Sequence, residues 1–325
     1  MTKPTGGPRM RKIFIVLLSF WLFLSLMGCS FRGTRERVLI LVPDGLPALA
    51  QTHLEYTRPV IGNTPYDIER VSGPAPLIAA MASRSHDIII APLTVGARLI
   101  EGGSPYQCAA IITWGNLFLI SGTSLTHLEE IEGRDLIGFG AGAPSGIVLD
   151  VLLRNHSVTP SSLTYATSFQ AALVELVLRP DKVILTAEPV LSAAMEHFES
   201  LYVLDLNALW HDEAEYPIPQ ACVFVSTSVE TAFVESYLET LADSALLALN
   251  DPARVALQAE TLGYPFSRSR MMDALPRGGI NLVRALEARE AIEAFLQTIL
   301  RESDAVIETL PDDHFYYGIS DYDTP

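Results

Sequence analysis

The sequence predicts an α/β protein of two lobes, each a mostly parallel β-sheet flanked by helices. From Arg37 onward, short apolar runs alternate with segments of helical pattern, which is the signature of parallel strands joined by helices. This alternation pauses near Asn116 and then restarts. In a chain of 325 residues, two such series favour two lobes over one.

The first series has strands whose carboxyl ends carry small or polar residues. Its predicted strands are 38–42, 67–71, 86–91, 107–112 and 117–121, and its predicted helices are 47–56, 76–84 and the segment after Thr94. Residues 38–42 are a continuous apolar run, as expected of a central strand that is covered on both faces. In open α/β sheets, ligands lie beyond the carboxyl ends of the strands. We therefore expect Asp44, Gly45, Ser72 and Thr94 to face a ligand.

The second series begins after Asn116. Its predicted strands are 136–139, 163–166, 182–186 and 201–206, and its predicted helices are 145–155, 168–178 and 189–198. A strand at 221–226 follows Pro217 and Pro219 and is expected to return to the first lobe. Three further helices are predicted at 227–249, 252–262 and 284–300, the last of them amphipathic.

A glycine-rich stretch at 136–150 is the strongest indication of a ligand. An apolar run leads into Gly138, Gly140 and Gly142, and then Pro144 and Ser145 open a helix. Ser145 is expected to cap the first turn with its hydroxyl, and the glycines let a bound group approach free backbone N–H donors. A dinucleotide fingerprint would also need an acidic residue about 20 positions further on, but 151–174 contains no Asp or Glu. A plain strand-to-helix turn without a ligand remains an alternative.

Three further residues are candidates for the same site. Trp114 stands beside Gly115 where the chain passes between the two series, so it either stacks on a ligand or packs in the core. Asn116 follows it and is expected to contact the ligand. Glu188 comes directly after a predicted strand, where its carboxylate would accept from a ligand N–H, pair with a cation or cap its own helix.

The amino-terminal segment predicts export. Residues 1–12 carry four basic and no acidic side chains, and residues 13–26 form a run that is apolar except for two serines. A run of fourteen residues suits a signal peptide better than a membrane span, which needs about 20 residues. Residues 26–29 resemble the bacterial lipobox, which implies cleavage before Cys29 and acylation of its sulfur. We thus expect a signal peptide at 1–28, a tether at 29–36 and a domain held by lipid on the extracytoplasmic face of the membrane. A single amino-terminal membrane helix is the alternative.

Composition restricts the partners. Removal of residues 1–28 takes away four of the 22 basic residues and none of the 38 acidic ones, which leaves a formal charge of −20. Such a surface repels phosphate backbones, so nucleic acid is not an expected partner. Lys182 is the one lysine after residue 28, and its place in a polar turn argues against Schiff-base chemistry. The seven histidines are scattered, so no metal or other cofactor is expected. Cys108 and Cys222 form one disulfide or remain two buried thiols.

The order of these features resembles the solute-binding proteins of ABC importers, in the branch that includes binders of sulfonates, nitrate and pyrimidine precursors. The resemblance covers about residues 37–318. It rests on residues 46–74, 87–92, 135–146, 188–189 and 310–317.

The resemblance implies a two-lobed, type II periplasmic-binding-protein fold. Its two crossovers match residues 113–116 and 216–219, so that lobe I comprises 37–114 and 217–325 and lobe II comprises 115–216. It also implies a monomer that closes on a small molecule between the lobes and then contacts a permease. On this topology the strand of Cys222 lies beside the strand of Cys108, which makes a disulfide conceivable.

The predicted loops of the cleft suggest the ligand. They contain no Arg or Lys, and Asp44 and Glu188 would repel an anion. A neutral or cationic heteroaromatic molecule, such as a pyrimidine-like vitamin precursor stacked on Trp114, fits these charges better. The alternatives are a small anion of the sulfonate or nitrate type, a ligand-sensing lipoprotein, and an exported enzyme of the same fold. An enzyme is not expected, because the residues around Ser145 do not form GxSxG and no His is placed to serve as its base.

Overall fold

Two β-sheets flanked by helices make up the part of the chain that the structure describes. The structure is a computed structural model and describes residues 37–139 and 142–319. The predicted signal peptide, tether and lipidated Cys29 lie outside these residues, as do Gly140 and the last six residues of the predicted lobe I.

The first sheet has six strands. They are β1 (Val38–Pro43), β2 (Tyr66–Val71), β3 (Ile88–Pro92), β4 (Tyr106–Trp114), β10 (Pro219–Ser226) and β11 (Ile280–Arg284). Their order is β11-β4-β10-β3-β1-β2, with β1 parallel to β2 and β3. The returning strand β10 runs antiparallel between β3 and β4. Strand β11 was not predicted, and Arg284, the predicted start of the last helix, ends this strand instead.

The second sheet has five strands. They are β5 (Phe118–Ser121), β6 (Asp135–Phe139), β7 (Ser162–Ala166), β8 (Val183–Thr186) and β9 (Tyr202–Asp205). Their order is β7-β6-β8-β5-β9, with β6 parallel to β7 and β8 and with β5 antiparallel to β8 and β9. The strands of this sheet therefore all come from the chain between the two predicted crossovers.

Eleven α-helices connect or cover these strands in residues 37–139 and 142–319. They are α1 (Leu46–Thr57), α2 (Pro74–Ser83), α3 (Leu93–Glu101), α4 (Pro144–Asn155), α5 (Phe169–Leu178), α6 (Val190–His197), α7 (Leu206–Ala214), α8 (Thr231–Asn250), α9 (Pro252–Thr261), α10 (Arg268–Ala274) and α11 (Arg289–Glu302). Proline stands in the first turn of several of them, where its missing N–H costs no hydrogen bond. None of the helices in the described ranges combines the length and apolar composition that a membrane span needs.

One apolar core joins the two sheets. It is continuous from Leu41 and Ile89 in the first sheet to Leu119 and Leu136 in the second, and Phe295 of α11 belongs to it. Two further clusters cover the other faces, one on the first sheet and one on the second. Because the shared cluster lies between the sheets, the two lobes are in contact in this arrangement.

The two cysteines of the first sheet are free thiols. Cys108 in β4 and Cys222 in β10 lie on neighbouring strands, as expected, and both are fully buried. The register places Phe224 opposite Cys108 and Ile111 opposite Cys222, so the two cysteines are diagonal neighbours whose thiols interact without being bonded. Burial raises the pKa of the Cys222 thiol well above its ordinary value. The structure thus contains two buried apolar thiols rather than the disulfide.

We expect both thiols to be protected while the protein is folded. In a Cys29→Ala variant, iodoacetamide should alkylate neither cysteine under native conditions and both in denaturant, because only a solvent-exposed thiolate reacts. Mass spectrometry of the intact protein measures this. An oxidised mass that reductant restores would instead show a disulfide.

Candidate ligand-binding site

A cavity of about 70 Å³ lies between the two lobes at the ends of the strands. Thr94 of α3 and Gln220 of β10 line it from the first lobe, Ser145 of α4 lines it from the second, and Gly115 lies in the first crossover. Phe295 of α11 closes one side. The cavity therefore brings together two of the predicted site residues, Thr94 and Ser145, and it has polar groups from both lobes.

The amino ends of two helices meet at this cavity. Thr94 is the second residue of α3 and is almost fully buried, so it lies in the first turn of a helix and not in the predicted loop. Pro144 begins α4 directly opposite in the lining. Helix amino ends carry unpaired N–H groups and the positive end of the helix dipole. Both helices thus offer hydrogen-bond donors to a solute between them.

Ser145 does not cap its helix, contrary to the prediction. The N-cap residue of α4 is Ala143, and the Ser145 hydroxyl donates to the backbone carbonyl of Phe139 at 3.0 Å. This bond fastens the end of β6 to the beginning of α4. The hydroxyl proton is therefore bonded to a backbone carbonyl and not to a base. Gly142, at φ +66°, adopts the left-handed conformation that this turn requires.

Glu188 is buried and fully hydrogen-bonded. Its carboxylate accepts from the Ser192 N–H at 3.0 Å, from the Ser192 hydroxyl at 2.8 Å and from Nε of Arg277 at 2.7 Å. Its backbone N–H donates to Oδ1 of Asn116 at 2.7 Å, and Nδ2 of Asn116 donates back to its carbonyl at 3.3 Å. Glu188 therefore caps its helix and pairs with a cation, two of the three roles that the sequence left open.

Arg277 is the residue that sequence reasoning missed. It precedes β11 in the first lobe, and it crosses to the second lobe, where it also donates to the Ser192 hydroxyl at 2.8 Å. The predicted loops contain no Arg or Lys, but Arg277 brings a cation to Glu188 from outside those loops. Gly278 and Gly279 permit this approach, because a Cβ on the first would lie 2.4 Å from Leu46 Cδ2 and one on the second 1.9 Å from the Trp114 carbonyl oxygen. The Arg-Gly-Gly sequence was the available signal.

The remaining predicted residues lie at the end of the first sheet but are not among those that line the cavity. The Ser72 hydroxyl donates to the Asp44 carboxylate, which joins the ends of β2 and β1. Gly45 follows at φ +105° and begins α1. Nε1 of Trp114 donates to the Asn281 carbonyl at 2.8 Å, and the half-buried ring packs against the shared core. This contact favours the packing role of Trp114 over stacking on a ligand.

Charged side chains also connect the lobes away from the cavity. Arg270 of α10 pairs with Glu196 of α6 at 2.8 Å, beside the Arg277–Glu188 pair. Arg154 of α4 makes two bonds of 3.0 and 2.6 Å to the Glu302 carboxylate of α11. The lobes are thus held together on two sides, which is a closed arrangement.

Comparisons with known proteins identify the fold. No protein-family model and no curated protein matches the chain. Among solved structures, an ABC transporter protein from Parabacteroides distasonis is 24% identical, covers 86% of this chain and 98% of its own, and superposes with a TM-score of 0.78. The chain has the fold of the periplasmic binding proteins of ABC transporters. This confirms the predicted two-lobed architecture and the resemblance on which it rested.

Two other structures show the range of proteins with this fold. The periplasmic aliphatic sulphonate binding protein SsuA from Escherichia coli is 15% identical, with coverage of 85% of this chain and 90% of its own and a TM-score of 0.65. A ligand-binding component of an ABC-type import system from Staphylococcus aureus, with zinc bound, is also 15% identical, with coverage of 87% and 96% and a TM-score of 0.63. In the present chain, residues 37–139 and 142–319 contain no group of three or more His, Cys, Asp or Glu side chains placed to hold a metal.

We expect Arg277→Ala to destabilise the protein by about 1 to 3 kcal/mol, because it leaves the buried Glu188 carboxylate without its cation. Urea denaturation measures the change. The matched control is Arg98→Ala, which breaks an exposed pair with Glu308 and should cost at most about 1 kcal/mol. Glu188→Gln in the Arg277→Ala background should restore part of the loss. Equal effects of the two arginine variants would contradict this account.

Proposed function

We propose that the protein is the solute-binding component of an ABC importer, held by lipid on the extracytoplasmic face of the membrane, where it delivers a small molecule to permease subunits. The observation that carries this proposal is the cavity between the two lobes, with Thr94 and Ser145 facing it from opposite sides. Two of the solved structures cited above are named as parts of ABC transport systems, and the third is named as a periplasmic sulphonate binding protein. The predicted lobe boundaries, 37–114 with 217–325 and 115–216, are part of the proposal.

Binding requires the lobes to move. A cavity of about 70 Å³ has room for a few water molecules but not for an organic solute, whose pockets occupy roughly 300 to 1,000 Å³. A solute must therefore enter while the lobes are apart, and its contacts with both lobes then stabilise a nearly closed state. The crossovers at 113–116 and 216–219 are the points about which the lobes would move.

The lining of the cavity favours a small, uncharged, partly aromatic solute. Thr94, Ser145 and Gln220 supply hydrogen bonds, Phe295 supplies an aromatic wall, and the described lining has no charged side chain. The charge of Glu188 is balanced by Arg277. A heteroaromatic compound of the pyrimidine type fits this surface, with Phe295 rather than Trp114 as the aromatic contact. In this proposal the wall of the second lobe is formed by Gly142, Asn116 and Glu188. The outer edge of the first lobe is formed by Asp44, Gly45 and Ser72.

A small anion is the second candidate. Arg277 favours it, because its Nη1 has no hydrogen-bond partner among the described residues. The amino ends of α3 and α4 would add backbone donors for the same anion. The named ligand of the Escherichia coli protein, an aliphatic sulphonate, belongs to this class.

Thermal denaturation against pyrimidines and alkanesulfonates tests the proposal. A solute at a hundred times its dissociation constant should add about 2.7 kcal/mol to the stability and raise the melting temperature by several degrees. Thr94→Val and Ser145→Ala should reduce this shift, whereas Ser83→Ala, at the far end of α2, should leave it unchanged. A shift with sulfonates alone supports the second candidate, and no shift with any solute would count against a binding protein.

The lipid anchor has its own test. Cells given an alkyne-labelled palmitate should incorporate the label into the wild-type protein and into Cys108→Ala, but not into Cys29→Ala, because Cys29 is the proposed acylation site. Fluorescence of the labelled band measures incorporation. Equal labelling of the Cys29→Ala and wild-type proteins would rule out this anchor.

A further inference from the structure

A second and larger space lies between the lobes, on the other side of Phe295. It is a groove of about 540 Å³ between α4 and α7 of the second lobe and α11, which packs on the first sheet. Phe295 lines both this groove and the cavity at the strand ends, so its ring separates the two. The volume lies within the range of pockets that hold small organic molecules.

The floor of the groove is apolar and partly aromatic. Trp210 and Phe295 meet edge to face, with ring centroids 6.0 Å apart, and both are almost fully buried. Val151 lies beside them, and α11 contributes the small residues Ala291 and Ala294. Because alanine occupies these positions of α11, the space above the aromatic rings stays open for a planar or aliphatic group.

One arginine at the edge of the groove is not paired with any carboxylate of the described residues. Arg154 and Glu302 neutralise each other through two hydrogen bonds. Glu213 accepts from Asn155 at 2.7 Å and contacts the ring of His156 at 2.7 Å. Hydrogen bonds to Glu129 and to Glu213 raise the pKa of His156, so this histidine is shared by two carboxylates. Arg301 donates to Thr298 and has no carboxylate partner among the described residues. In a chain with 38 acidic residues, a cation without a carboxylate beside an apolar floor points to an anionic occupant.

We propose that this groove binds an amphiphilic organic anion, with its apolar body on Trp210 and Phe295 and its acid group paired with Arg301. The site is separate from the solute cavity, because Phe295 lies between them. An occupant contacts α4 and α7 on one side and α11 on the other, so it holds the lobes together. Binding of the anion is therefore coupled to closure.

Fluorescence titration of the full chain with anilinonaphthalene sulfonate tests this proposal, since the probe joins an aromatic body to one acid group. Arg301→Gln should weaken its binding about tenfold through loss of a charge-assisted bond. Ala294→Trp should abolish binding by filling the groove. The neutral phenylnaphthylamine should bind the wild-type protein and Arg301→Gln equally, because it lacks the acid group.

Two controls separate this site from the others. Arg254→Gln removes an exposed arginine of α9, which contributes no residue to the groove, and should leave the affinity for the sulfonate probe unchanged. Thr94→Val alters only the solute cavity and should also leave it unchanged, so failure of the proposed transport function would not affect the result. The proposal is overturned if the sulfonate probe does not bind, or if Ala294→Trp and Arg301→Gln bind it with the affinity of the wild type. It is also overturned if Arg301→Gln lowers the affinity for the sulfonate probe and for the neutral probe equally.

Discussion

The closed arrangement of the lobes depends on the partners of one buried carboxylate. Glu188 has no exposed side-chain surface, and an ionised group in that position is costly unless it is paired and hydrogen-bonded. Ser192, in the helix that follows Glu188, donates hydrogen bonds to the carboxylate, but the balancing charge comes from Arg277 of the other lobe. A contact between lobes is therefore required to complete a site that belongs to the second lobe. This requirement also explains why two consecutive glycines follow Arg277, since a side chain on either would keep the turn away.

The same pair determines the electrostatics of the cleft. The sequence predicted a negative cleft because of Asp44 and Glu188. In the structure, Arg277 balances the charge of Glu188, and the Ser72 hydroxyl donates to Asp44. The surface that a solute meets is then nearly neutral, with hydroxyl and amide groups and the amino ends of two helices. This favours a solute recognised by hydrogen bonds and shape over one recognised by full charge, and it leaves Arg277 as the group that would have to reorient for an anion.

The sequence predicted the strands well because their cause is local. Runs such as 38–42 are apolar on both faces and end at turn residues, and both features are visible in a single segment. The site was predicted less completely because its causes are distant. Ser145 was expected to bond its own helix, but the Phe139 carbonyl is available to it only in the folded turn. Arg277 lies 89 residues from Glu188, and the Arg-Gly-Gly sequence does not indicate which carboxylate it pairs with. Trp114 was ambiguous, and the Asn281 carbonyl of a strand absent from the prediction supplied its partner.

The contacts that join the lobes differ in how much they resist opening. Arg154 and Glu302 lie at the surface, where water replaces each partner and the pair contributes about 1 kcal/mol or less. Opening costs more free energy at Glu188. When Arg277 moves away, Ser192 stays in place and holds the carboxylate in its buried position. Of the two charged contacts, the Arg154–Glu302 pair therefore resists opening less than the Arg277–Glu188 pair. The groove beside Trp210 lies on the side of the Arg154–Glu302 pair. An anion bound there would therefore strengthen the weaker of these two charged contacts between the lobes.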